Sequence, residues 1–181
     1  MTVAAVIKTA VDGTVSLIDG TGSPLTLTIR FSAGDLNIQG ITNSLREAVA
    51  ISARGKTRAL RKGAPTYPTV SFSAHAADLA EVGTGTIANW DAKTTPFASR
   101  TNTISIGDLD CYHVKLTIEG TAHGDGSDQT ITCKDVHCTW SFQEGDDGNK
   151  FSMQGTIYGD IVITDGAASP HSSTYTAPRE S

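Results

Sequence analysis

The sequence predicts a mainly β protein: an antiparallel β-sandwich or barrel-like protomer with one flanking α-helix. Three observations predict it. Apolar and polar residues alternate with period two in several segments. Clusters of Gly, Asp, Asn and Pro separate those segments. Much of the polarity is hydroxyl, with 25 Thr and 16 Ser in 181 residues against only 18% charged residues. Thr is β-branched and fits the wet face of a pleated strand. Successive strand side chains point to opposite faces, so each alternating segment buries one face and wets the other. Antiparallel sheets with one solvated side carry this pattern.

The first hairpin joins a strand near 14–18 to one at 25–31. In the second, Leu25, Leu27, Ile29 and Phe31 alternate with Thr26, Thr28, Arg30 and Ser32. Asp19-Gly20-Thr21-Gly22-Ser23-Pro24 forms the extended loop between them. Residues 43–62 read two ways. Leu45, Val49 and Leu60 permit a helix, whereas Val49 and Ile51 alternate as in a strand. The expectation is a strand near 47–52 followed by an irregular basic arm. Val70, Phe72 and Ala74 alternate with Thr69, Ser71, Ser73 and His75 in a further strand. The helix is placed at 78–92, with Gly83 and Gly85 weakening its middle. Ile87 and Trp90, three apart, form its buried stripe.

Tyr112, Val114, Leu116 and Ile118 mark the apolar side of a strand over 111–119. Val136, Cys138, Trp140 and Phe142 do the same in a long strand that ends at Glu144-Gly145-Asp146-Asp147-Gly148-Asn149. Tyr112, Trp140 and Phe142 are accordingly expected in the core. The returning arm, 151–163, carries Gly155 and Gly159, which predict a bend or bulge. Beyond Gly166 no apolar periodicity remains. The chain is therefore divided into one β domain over 1–165 and a flexible C-terminal tail over 166–181.

Composition excludes several classes. A formal charge of -5 at pH 7 argues against a dedicated DNA-wrapping protein, which neutralises phosphates with a basic surface. No apolar run approaches the ~20 residues of a membrane helix, so no membrane role is expected. Met1-Thr2-Val3-Ala4-Ala5-Val6-Ile7-Lys8 lacks a basic n-region, so no signal peptide is expected. The 3 cysteines are odd in number, which favours reduced thiols.

Catalytic chemistry finds no constellation. There is no Gly-x-Ser-x-Gly elbow and no phosphate loop, and Gly83-x-Gly85 lacks the rest of a dinucleotide fingerprint. His75 near Asp78, and His113 and His123 near acidic turns, are assigned structural or surface roles. Cys133, His137 and Cys138 resemble a metal cluster, but strand geometry puts Cys133 and His137 on one face and Cys138 on the other. Buried small hydrophobes is the expected role of the cysteines. Asp125-Gly126-Ser127-Asp128 hints at calcium, yet positions six and twelve of such a loop hold Thr130 and Val136. No enzyme activity, metal or cofactor is expected.

Charge is uneven along the chain. Arg46, Arg54, Lys56, Arg58, Arg61 and Lys62 are six of the 14 basic residues, packed into 17 positions. From Asp108 to Asp165 there are 11 of the 19 acidic residues, against three lysines and no arginine. A solvated basic loop beside acidic turns is the bland account. The sharper one is a molecule that docks head to tail on its own copies, with electrostatics setting register.

Several segments resemble the tail tube (major tail) proteins of long-tailed bacteriophages. They are Asp12-Gly13-Thr14-Val15-Ser16-Leu17-Ile18-Asp19-Gly20, Leu60-Arg61-Lys62-Gly63 with Val70-Ser71-Phe72-Ser73-Ala74-His75, and Leu116-Thr117-Ile118-Glu119-Gly120-Thr121-Ala122-His123-Gly124-Asp125. Phe142-Gln143-Glu144-Gly145-Asp146 and Phe151-Ser152-Met153-Gln154-Gly155-Thr156-Ile157-Tyr158-Gly159 resemble the family's terminal hairpin. The resemblance runs from about Asp12 to Thr164 and rests on turns and strands. It implies hexameric rings stacked into a tube, with strands of every protomer joined around a lumen that passes the double-stranded genome without specific binding. It also implies neighbours among other tail proteins (tip or initiator, tape measure, terminator) and a place in the virion tail, assembled in the host cytoplasm.

On that footing Arg54, Lys56, Arg58, Arg61 and Lys62 are expected to contact the next ring through Glu144, Asp146 and Asp147. Asp135 and Asp160 are expected to face the lumen, where acids repel DNA. Two alternatives stand beside the tube: a terminator or head–tail joining ring that does not polymerise, and a β-sandwich binding module for sugar or protein, which exposed aromatics on one face would favour.

Overall fold

The computed structural model describes residues 13–30, 36–41, 46–75, 86–104, 109–118, 128–144, 150–164 and 172–175. They form a mainly β protein with antiparallel pairing throughout and one short helix. The strands are β1 (Gly13–Ile18), β2 (Thr26–Arg30), β3 (Asn37–Gln39), β4 (Arg46–Ala53), β5 (Lys56–Pro65), β6 (Thr69–His75), β7 (Cys111–Ile118), β8 (Gln129–Gln143), β9 (Lys150–Ile157), β10 (Ile161–Thr164) and β11 (Ser172–Tyr175). The helix, α1, spans Ile87–Asp91.

Nine strands make one sheet in the order β2-β1-β7-β8-β9-β6-β3, with β10 on β8 and β11 on β10. Antiparallel register aligns the apolar positions into rows. One row runs Leu27, Leu17, Val114, Cys133, Ile161 and Tyr175 across six strands. Another runs Trp140, Met153 and Phe72. These rows line a single core that includes Val15, Ile29, Val136 and Ile157, each no more than 1% exposed. The opposite face carries hydroxyls, and cross-strand pairs such as Ser16–Thr28 and Ser73–Ser152 meet at 3.3 Å.

The sheet forks at a β-bulge. Tyr112 faces Val136 and Val114 faces Cys133, so β8 spends one residue more than β7 over this step. Asp135 takes φ +54° there. The extra residue reverses the alternation of β8, so Cys133 and Cys138 share the core face and His137 lies opposite. This corrects the expectation that Cys133 and His137 share a face, which assumed an unbroken strand. Beyond the bulge β8 pairs β9; before it, β8 pairs β10. Tyr158, Gly159 and Asp160 span the fork, with Tyr158 N–H and Gly159 N–H donating to the carbonyls of Asp135 and Lys134. The bend expected in the returning arm therefore falls at Gly159. Gly155 sits in regular strand, packed too closely against Val136 for any side chain.

Helix α1 is shorter than the expected 78–92. Thr86 is extended, and its hydroxyl accepts from Asn89 N–H, so the helix begins at Ile87. Residues 76–85 lie outside the described residues. Ile87 and Trp90 are buried as the stripe predicts. Trp90 meets Tyr112 edge-on at 5.4 Å, and the Arg100 guanidinium lies 5.1 Å from the Trp90 ring and 5.3 Å from the Tyr112 ring. Arg100 and Lys93 both bond Asp110.

Two further expectations change. Phe142 is 55% exposed instead of core, because β7 ends opposite His137 and leaves the last turn of β8 without a neighbour on that side among the described residues. The segment assigned to a flexible tail contributes β11, whose register with β10 runs from Ile161–Tyr175 to Thr164–Ser172. A free strand edge at β10 supplies the order that apolar periodicity does not.

Candidate assembly surface

Strands β4 and β5 form a sheet of their own, paired with no other described strand. Arg54 and Gly55 connect them, both at positive φ (52° and 74°), the two-residue turn whose twist matches a hairpin. The irregular basic arm expected at 54–62 is thus the turn and strand β5 of a hairpin. The mismatch arose because residues 56–62 alternate weakly, and β5 is held by pairing to β4 with two register shifts.

Both faces of this ribbon meet solvent. Arg54, Lys56, Arg58 and Arg61 are exposed, and none has a carboxylate partner among the described residues. Lys62 lies opposite Ala48 in the ladder. Val49, Ile51 and Leu60 are also exposed, Leu60 to 71%. At ~3.3 Å per residue the arm reaches roughly 26–33 Å. An isolated two-stranded ribbon is marginally stable in water, and its exposed aliphatics are the kind that mark a contact surface.

At the far end of β8, Phe142 stacks at a tilt on Phe151 (5.1 Å) beside the exposed Glu144. Asp146 and Asp147 lie outside the described residues. This tip pairs an apolar ring with acid, whereas the arm pairs aliphatics with cations. The sequence pointed to the charges of both surfaces but missed their apolar members. Val49 and Ile51 carried the signal, since they alternate, but alternation alone does not tell a buried face from an exposed one.

The acids expected in a lumen sit elsewhere than on a regular strand face. Asp135 occupies the bulge, its N–H donating to His113 Nδ1 at 3.2 Å and its carboxylate 3.9 Å from that nitrogen. Asp160 lies in the fork, where its carbonyl accepts from Lys134 N–H. The polar face of the β8–β9 hairpin is otherwise built of His137, Thr139, Ser141, Gln143, Lys150, Ser152, Gln154 and Thr156, with no carboxylate among its described residues.

The thiols are not placed for chemistry. Burial pushes Cys133 and Cys138 up to about 12, and burial with the charges of Asp135 and Asp110 raises Cys111. Thiolate, the reactive form, is therefore scarce. Among the described residues no group of three His, Cys, Asp or Glu is placed to hold a metal, and no helix is long and apolar enough to cross a membrane. No protein-family model matches the chain, and no curated protein matches it significantly.

Proposed function

We propose that this chain is a structural virion protein that polymerises as stacked hexameric rings into a phage tail tube, the conduit for genome delivery. One observation carries the self-assembly: a basic, aliphatic β-ribbon that pairs with no other described strand and leaves both faces open. Its occupant is a second copy of this chain. The two surfaces are complementary: the Phe142–Glu144 tip offers the acid and the apolar ring that the arm lacks. The segment resemblance to tail tube proteins directs the assembly reading toward a tube; the other tail proteins and the passing DNA are its partners on the same ground.

Magnitudes rank the contributions. An exposed ion pair contributes about 0–1 kcal/mol, while burying one aliphatic side chain contributes about 1.5–3 kcal/mol. Val49, Ile51 and Leu60 supply most of the affinity; Arg54, Lys56, Arg58 and Arg61 set register and approach. Repetition around a ring multiplies both.

Negative-stain electron microscopy across a concentration series tests the proposal. Hollow tubes with a regular axial repeat are expected, and Arg58→Glu with Arg61→Glu leaves folded protomers that do not stack. Closed rings that never stack favour a terminator or joining ring. Normal tubes from the charge-reversed protein sink the role of the arm.

A further inference from the structure

The hydroxyl face of the sheet holds a groove of about 360 Å³ across β3, β6, β9 and β8. Two cross-strand rows build it. Gln39, Thr69, Thr156 and His137 form one, and Ser71, Gln154 and Thr139 form the next. Among the described residues, no Asp, Glu, Lys or Arg lines it. Among the described residues, the side chains of Gln39, Thr69, Ser71, Gln154 and Thr156 have no hydrogen-bond partner. His137 Nδ1 lies 3.0 Å from the Asp110 carbonyl, which can only accept. Nδ1 therefore donates to that carbonyl, which leaves Nε2 on the groove side of the ring.

The same register continues one row further. Ile157 N–H donates to the Pro68 carbonyl at 2.9 Å, which places Tyr67 opposite Tyr158. Their rings lie 4.9 Å apart at 57°, and Tyr67 is 37% exposed. An aromatic pair thus lies one cross-strand row beyond the Thr69–Thr156 edge of a groove rich in hydroxyl and carboxamide groups.

The geometry points to a saccharide-binding groove. Hydroxyl and carboxamide groups donate and accept at once, as sugar hydroxyls require. The C–H face of a pyranose packs on an aromatic ring whose phenolic end stays wet. A phosphorylated ligand finds no Lys or Arg among the described lining residues to neutralise it. An apolar ligand would leave the lining amides and hydroxyls buried without partners, which is costly. The occupant is a neutral oligosaccharide, with Tyr67 and Tyr158 as its platform and Gln154, Thr156 and Thr69 as its polar contacts. This inference does not depend on the assembly reading.

The test is a ¹⁵N chemical-shift titration of the dilute full-length chain with cellotetraose, maltotetraose and chitotetraose in turn. At least one is expected to shift Thr69, Gln154 and Thr156 saturably, with a Kd of about 0.1–10 mM. Tyr67→Ala and Gln154→Ala each weaken that binding about tenfold, equivalent to about 1.4 kcal/mol, without lowering the thermal midpoint. Absence of a saturable shift at these residues with all three sugars overturns the inference. So does a shift that Tyr67→Ala leaves unaltered, or one produced by a short DNA duplex and by no sugar. None of these failures touches tube formation, which is read separately by microscopy.

Discussion

The Asp19 carboxylate accepts a hydrogen bond from Thr101 N–H at 3.1 Å, tying the β1–β2 loop to the segment that follows α1. Asp19 is 2% exposed, and the same carboxylate also takes Leu25 N–H at 2.8 Å and both the hydroxyl and the N–H of Thr21. Gly20 lies so close to Asn102 that a Cβ would overlap its carbonyl. Asp19→Ala removes the acceptor shared by the part-buried donors of Thr21, Leu25 and Thr101 and is expected to destabilise the protein by about 2–4 kcal/mol, read by chemical denaturation. Thr21→Ala, which loses a hydroxyl near solvent, costs about 1 kcal/mol on the same measurement.

Gly155 faces Cys138 and Val70 in neighbouring strands. A Cβ there meets Val136 Cγ1 at 2.5 Å and the sulfurs of Cys138 and Met153 at 3.3 Å. Gly155→Ala should cost about 1–3 kcal/mol through overpacking. Adding Val136→Ala should recover part of that loss, because the two changes compete for one space. Strict additivity in a double-mutant cycle would refute the packing account.

Acid should loosen the bulge. Burial holds the His113 imidazole below its ordinary value, with Lys134 in the same direction and the Asp135 carboxylate opposing. Its Nδ1 accepts the Asp135 N–H, so it must be unprotonated to hold the turn. The folded protein then binds fewer protons than the unfolded chain. Stability is whole above the unfolded His value of about 6.5 and declines as pH falls from there through the folded value. Asp110 adds a second decline at lower pH: burial raises its carboxyl, but the Lys93 hydrogen bond and the Arg100 and Lys93 charges outweigh this and hold it down. His113→Asn, which keeps an acceptor near Nδ1, should flatten the decline that begins below about pH 6.5 and leave the Asp110 decline at lower pH in place.

Leu60→Thr and Val49→Thr touch side chains already in solvent. Folding stability should move by no more than about 0.5 kcal/mol. Tube formation should fail at concentrations where the parent chain assembles, and added salt should slow but not abolish assembly of the parent. A salt-dependent loss without any effect of Leu60→Thr would place the affinity in the charges instead.

The buried thiols should resist a thiol reagent at neutral pH until the protein unfolds. Three thiols then titrate together, at the rate of unfolding. Prompt labelling of the native protein would contradict the burial of Cys111, Cys133 and Cys138.

Pairs of neighbours along the chain settled a good deal by themselves. Leu27 and Ile29, or Val70 and Phe72, reveal their face because strand alternation is a local property of the backbone. Ile87 and Trp90 reveal theirs through helical spacing. The mainly β class, the hairpin at Asp19, the terminal hairpin and the basic stretch were all legible on this basis. Tertiary structure decided what depends on partners far away in sequence. An extra residue at Asp135 reverses every side chain after it, and only pairing with β7 reveals that residue. Phe142 is exposed because β7 stops opposite His137, an event 31 residues earlier in the numbering of its strand end at Cys111. Residues 172–175 are ordered by a free edge on β10, and 56–65 by the strand beside them. Tyr67 and Tyr158 meet across a register that no local pattern encodes. Local chemistry chooses the face of a strand; register, bulge and edge choose what that face meets.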